Sequence, residues 1–574
     1  MIRIAHNATT AKLFDADRDA KLEVHRLLSY RVEGSEHMAA FKSGGWNGRA
    51  SFFDFAKGTF PTGFVRLVAQ GLRKKGYDIQ IVAKPRPEPL GPERPVVDPF
   101  GYTERYDYQP AAVDQLVRHG NITVQVATGG GKSRIARMAY KRIDRPTLFL
   151  TTRGVLLHQM KEAVEGMGEE VAVLGDGDWG IPYTRPDGKQ GRRITKFVVG
   201  MVQTLAQRLE IISVDGELEA LTARRDAAES KAVAKLKEDL KQQGITDSEV
   251  VRTRCIALLE GITSKYPSKE QDRAEITAKV ARHERLRLAT IEILARFELV
   301  IAEEAHEVSG NSFYAVMSAC RNAHYRMALT ATPFMKDDEE ANMKLLACCG
   351  PVAIRITEKM LIDRGILARP YFKFLKLDPS KKPKGIFRTT GWPRAYELGI
   401  VKNEYRNKLF CVEMLRGIKY GLNGMILVTH KAHGKIFLDM LRKAGARAEF
   451  IWGEDDQAGR KAALRRLGNG EIDVLIGTSI MDVGVDVPSL GIVALAGGGK
   501  AEVATRQRIG RGLREKKGKL PNVAFIVDAA DSDNTHLARH ARERRAIIEG
   551  TPGFAEGIVD DFDYVGLGLE RLAA

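Results

Sequence analysis

At 574 residues the chain is too long for one hydrophobic core, so three or four domains are expected. Its 44% hydrophobic and 28% charged content is ordinary for a soluble globular protein, and no apolar run approaches the ~20 residues of a membrane span. The net charge of +17 suits a polyanionic partner, and five cysteines without CxxC spacing argue against a zinc site or disulfide framework.

In chain order, Met1–His6 lacks an apolar core with a cleavage site, so a cytoplasmic protein is expected. Residues 1–83 mix short apolar segments with turns and hold no nucleotide motif, so an N-terminal α+β module that recognises DNA is expected. Residues 84–101 are proline-rich, which fixes φ and disfavours helix, so they read as an extended linker. From 102 to 350, β-branched runs alternate with helical patterns: Ile122–Val126, Thr147–Leu150, Phe197–Met201 and Leu299–Ala302. This is the pattern of a parallel sheet covered on both faces. About 209–295 the chain is rich in Ala, Glu, Lys and Arg with leucines at helical spacing. That segment predicts a helical insertion, either a solvated helix pair or an arm touching DNA. A second alternation spans 351–545, with Met425–Val428, Val474–Gly477 and Ala524–Val527 among its strands, and 546–574 remains as a tail. The fold class expected is α/β with two parallel-sheet lobes.

Four strings in chain order, with a fifth just before the first of them, carry the chemistry. Thr128-Gly129-Gly130-Gly131-Lys132-Ser133 lies between a strand and a helix, so backbone N–H groups and the helix N-terminus can cradle phosphates. Lys132 would neutralise the β- and γ-phosphates of ATP, and the Ser133 hydroxyl would help hold Mg2+. An apolar strand delivers Glu303 and Glu304 to the edge of the sheet: Glu303 can hold the metal through water, and Glu304 can deprotonate the attacking water. The amide of Gln109, in Tyr106-Asp107-Tyr108-Gln109-Pro110, offers a donor and an acceptor to the adenine edge. Thr330-Ala331-Thr332-Pro333 and Gln507-Arg508-Ile509-Gly510-Arg511-Gly512-Leu513-Arg514 complete the set.

With these strings the chain resembles superfamily 2 DNA helicases of the DEAH-like kind over residues 102–545, the insertion excepted. The phosphate loop matches that group's Ala-x-x-Gly-x-Gly-Lys-Ser/Thr form; the general P-loop pattern fails because Val126 stands where it needs glycine. The family's acidic motif usually begins with Asp, where this chain has Glu303. The resemblance implies two RecA-like lobes and nucleic-acid contacts by Thr152, Arg153, Gln203, Thr204, Thr478 and Ser479. It implies nucleotide contacts by Gly484 and Asp486, coupling of hydrolysis to lobe movement by Thr330 and Thr332, and catalytic roles for Gln507 and the arginine fingers Arg511 and Arg514. Within superfamily 2, Gly45–Arg49, Phe60–Phe64, Tyr396–Asn407 and Gly497–Lys500 are similar to phage UvsW-type branched-DNA helicases.

That likeness implies a bacterial or phage-infected cytoplasm and an ATP-dependent helicase or translocase on branched DNA with single-strand regions. RNA–DNA hybrids are a further substrate to test. An RNA helicase, a double-strand translocase and a binding scaffold with a decayed ATPase stay as alternatives. In the N-terminal module, Trp46, Phe52 and Phe53 read either as core or as base-stacking residues, and Arg49, Lys57, Arg73, Lys74 and Lys75 as candidate phosphate contacts.

Overall fold

The computed structural model describes residues 1–184, 187–304, 310–334, 338–452, 457–478, 490–499, 509–510, 513, 515–516 and 521–572. The N-terminal module is a four-stranded sheet in the order Thr59–Pro61, Thr10–Phe14, Ile2–His6, Ile79–Ala83. Alternation along its strands turns Ile2, Ile4, Ala11 and Leu13 inward, onto the helices Arg18–Leu27 and Val65–Lys74. Phe53 is part of this core, and Phe52 packs on Phe64 and on Tyr314 of the next domain. The core reading is realised for Phe52 and Phe53, while Trp46 lies outside that cluster, its indole N–H donating to the Arg49 carbonyl at 2.7 Å.

The module is docked rather than tethered. Its core is completed by Met343 and Ala347 of the helix Glu339–Cys349 in the first lobe. Arg49 pairs with Glu339 at 2.9 Å, and Arg66 donates to the Asn121 carbonyl at 3.1 Å. Of the candidate phosphate contacts, the Arg49 guanidinium also bonds Glu339 and the Ser29 carbonyl, and Arg73 also donates to the Ile79 carbonyl, with both side chains still exposed.

The proline-rich segment is a strap. Its carbonyls, which proline keeps out of helices, accept from first-lobe side chains: Tyr325 to Pro87 (2.7 Å), Arg142 to Gly91 (2.7 Å) and Arg137 to Val97 (2.8 Å). Asp98 completes it by pairing with Arg134 at 2.8 Å.

The first lobe is an eight-stranded sheet in the order Asp178–Trp179, Val171–Gly175, Phe197–Met201, Thr147–Thr151, Leu299–Glu303, Tyr325–Thr330, Asn121–Val126, Val352–Ile356. All its pairings are parallel except that of Asp178–Trp179. Two apolar clusters cover its faces, as near-continuous β-branched runs require. The insertion is three helices, Val214–Gln242, Ser248–Thr263 and Lys269–Leu294, the last opened by a capping box of Ser268 and Gln271. Few of its residues are buried, and Arg225 bridges its first and third helices through Asp272. The chain re-enters the sheet at Leu299, the start of its strand, so the arm is rooted at the edge opposite the phosphate loop.

The second lobe orders Ala448–Ile451, Val474–Thr478, Asn423–Val428, Leu490–Ala494, Val523–Ala530, Arg369–Lys376 and Ile558–Val559, all parallel. The residues expected as a tail supply its last strand and place Phe562, Tyr564 and Leu569 in its core. Among the described residues no helix is long and apolar enough to cross a membrane.

Candidate active site

The phosphate loop joins the strand Asn121–Val126 to the helix Lys132–Ile143. Gly129 and Gly131 have φ of 87° and 86°, which side chains disfavour. Each also meets a close neighbour, Leu367 at Gly129 and the Gln109 amide at Gly131, so a Cβ at either would collide. Gly131 caps the helix without a side chain, leaving its N-terminal turn facing the loop, and Ser133 is exposed in that turn. Tyr108 and Gln109 brace the loop from the helix Tyr108–His119: the Tyr108 hydroxyl donates to the Gly130 carbonyl at 3.0 Å, and the Gln109 amide donates to the same oxygen at 3.4 Å. Burial pushes the Tyr108 phenol up to about 12, so it stays a neutral donor. Arg134 donates to Gln109 Oε1 at 2.6 Å while pairing with Asp98, which links the strap to the loop.

Leu299–Glu303 and Tyr325–Thr330 are neighbouring parallel strands, so Glu303, Glu304, Thr330 and Thr332 collect at one edge beside the phosphate loop. Glu304 has a left-handed φ of 49°, its N–H donates to the Leu329 carbonyl, and its Oε1 accepts from Lys132 Nζ. Glu303 is buried at the strand end. The Thr332 N–H donates to the Thr330 hydroxyl at 3.2 Å, and Gln125 from the phosphate-loop strand donates to the Ala331 carbonyl at 3.2 Å. Sequence reasoning did not single out Gln125; its polar side chain inside an otherwise buried strand was the available signal.

Thr152 and Arg153 follow the strand Thr147–Thr151, and Gln203 and Thr204 lie in the first turn after its neighbour Phe197–Met201. The four share that C-terminal edge. Thr478 ends a strand of the second lobe. Ser479, Gly484, Asp486, Gln507, Arg511 and Arg514 lie outside the described residues. Their neighbours do not: a Cβ on Gly510 would lie 2.8 Å from Thr128 Cβ, and the Leu513 carbonyl accepts from Ala368 N at 2.6 Å. Arg105, just before the phosphate-loop lobe, pairs with Glu515 at 3.0 Å. Upstream, three donors hold the carbonyls of the loop after Leu490–Ala494: Arg406 holds Ala496 (2.8 Å), Tyr396 holds Gly497 (2.6 Å) and Arg544 holds Gly499 (2.9 Å). Arg406 and Arg544 are buried, paired to Asp531 and Asp528.

Two family models fall in order on the two lobes: "Type III restriction enzyme, res subunit" on residues 103–335 and "Helicase conserved C-terminal domain" on 407–516. Each of the two parallel-sheet lobes thus carries sequence similar to a helicase or restriction-enzyme motor family. One relative, the ATP-dependent DNA helicase uvsW of Enterobacteria phage T4, is 22% identical over 243 residues, 42% of this chain and 47% of that one. Putative helicase 22 of a Sulfolobus islandicus filamentous virus is 25% identical over 264 residues, 43% of this chain and 45% of that one. The matched stretches thus span less than half the length of either relative. The crystal structure of T4 UvsW aligns over 97% of this chain and 98% of its own, with 17% identity and a TM-score of 0.41.

Proposed function

We propose that this chain is an ATP-dependent DNA helicase or translocase acting on branched or partly unwound DNA. The observation that carries the reading is the approach of Gly510 of the second lobe to Thr128 of the phosphate loop, which brings the two lobes together at the phosphate loop. ATP would seat its phosphates on the helix N-terminus at Lys132, with Gln109 at the adenine edge. A γ-phosphate competing for Lys132 would release the Glu304 carboxylate to accept the proton of the attacking water. The hydroxyl of Ser133 and the carboxylate of Glu303 suit a hard cation, and Mg2+ bound there would neutralise phosphate charge. Arg511 and Arg514 would supply charge from the second lobe, so that hydrolysis depends on closure.

Thr152, Arg153, Gln203, Thr204, Thr478 and Ser479 would grip the phosphate backbone, and alternating grip during opening and closing becomes stepping. The +17 charge and the likeness to the ATP-dependent DNA helicase uvsW of phage T4 support DNA as the partner. The test compares ATP hydrolysis and strand separation on single strands, duplex, forks, four-way junctions and RNA–DNA hybrids. Forks and junctions should stimulate most; hydrolysis indifferent to every nucleic acid would overturn the reading.

A further inference from the structure

One edge of the second lobe sets Thr478, already assigned to the backbone grip, beside two side chains that none of the motifs above uses, Lys431 and Trp452. The strands Ala448–Ile451, Val474–Thr478 and Asn423–Val428 are parallel neighbours, with Ile451 opposite Gly477 and Val428 opposite Thr478. Trp452, Thr478 and Lys431 therefore emerge side by side at their C-terminal ends. Lys431 Nζ stands over the Trp452 ring, 4.3 Å from its centroid, and Phe450 packs against the indole at 5.1 Å. Thr478 is only 7% exposed, and its hydroxyl has no hydrogen-bond partner among the described residues. Lys431 also opens the helix Lys431–Lys443, whose N-cap His430 provides no side-chain cap, so the partial positive charge of that terminus faces the same edge.

These groups match the parts of one nucleotide unit. An ammonium, a helix N-terminus and a buried hydroxyl suit a phosphate, while a half-buried indole suits a base, because every base has a π-face. A phosphate would draw Lys431 off the indole and open the ring to stacking. Resting on the reading of the chain as a DNA motor, we infer that Trp452 is a base-stacking platform for single-stranded DNA. Lys431 and Thr478 hold the adjoining phosphate. The second lobe then grips a strand through a base as well as through its backbone, without choosing among bases.

The full-length protein should be titrated with oligo-dT and with an abasic strand of equal length at matched salt, as wild type, Trp452→Ala, Trp452→Phe and Lys431→Met. Basal ATPase serves as the folding control. Trp452→Ala should weaken oligo-dT binding roughly tenfold, leave abasic binding and basal ATPase unchanged, and be largely restored in Trp452→Phe. Lys431→Met should weaken both strands. Equal loss on both strands in Trp452→Ala, or no loss on oligo-dT, overturns the platform while leaving the motor reading intact. A wild type that binds neither strand overturns the DNA reading and the platform with it.

Discussion

Lys132 and Glu304 face each other because two backbone devices aim them. A glycine at φ 86° turns the chain into the helix that Lys132 begins, and a left-handed residue at φ 49° turns Glu304 off its strand. For Glu304 that conformation costs about 1–3 kcal/mol, offset by the surrounding sheet. Lys132→Ala removes about 3 kcal/mol of charge-assisted hydrogen bonding to phosphates, so nucleotide affinity should fall roughly a hundredfold, with hydrolysis lost. Fluorescent-nucleotide titration checks this.

Arg406 poses the opposite case, a structural charge. It is fully buried, bonded twice to Asp531 and once to Ala496. Arg406→Met leaves the buried Asp531 carboxylate to the longer pair with Arg544 at 3.5 Å and should cost about 3–5 kcal/mol by denaturant melts. Adding Asp531→Leu should recover part of that loss, because the poorly paired charge is then gone.

Among elements, the contact of the arginine-bearing segment with the phosphate loop is the most sensitive. Gly510→Ala places a methyl 2.8 Å from Thr128 Cβ and Cγ2, and overpacking of this kind costs about 1–3 kcal/mol. Closure should be disfavoured roughly tenfold, lowering DNA-stimulated hydrolysis while the melting temperature stays close to wild type. Unchanged stimulated hydrolysis would mean that the two lobes need not meet there. The strap acts as a second coupling element: Asp98 reaches Gln109 through Arg134, so the amide proposed to meet adenine is oriented by a segment whose composition reads as a spacer.

For the whole molecule, docking of the N-terminal module is the property that composition hides. Gly63 lies against the Leu346 and Ala347 carbonyls, and backbone atoms cannot step aside for a Cβ. Gly63→Ala should loosen the module, seen as faster hydrogen exchange in Glu339–Cys349 and a lower melting temperature. Unchanged exchange would show that the interface gives way easily.

The phosphate loop, both acidic residues and the two parallel sheets were legible in the sequence, since glycine placement and β-branched runs report local backbone needs directly. The strap, the docked module and the seventh strand of the second lobe were not. Prolines at 85, 87 and 89 announce extended chain but not the tyrosine and arginines that bind its carbonyls. Ile558–Val559 is too short for a strand pattern and forms one only because the edge of Arg369–Lys376 is there to accept it.

The central claim, a DNA-driven ATPase whose general base is Glu304, is tested most directly by steady-state hydrolysis with and without forked DNA, for wild type and Glu304→Gln. The account predicts DNA-stimulated turnover in the wild type, and in Glu304→Gln a loss of about 10²–10⁴-fold with ATP and DNA binding retained. Near-normal turnover by Glu304→Gln, or wild-type hydrolysis that ignores DNA, would contradict it.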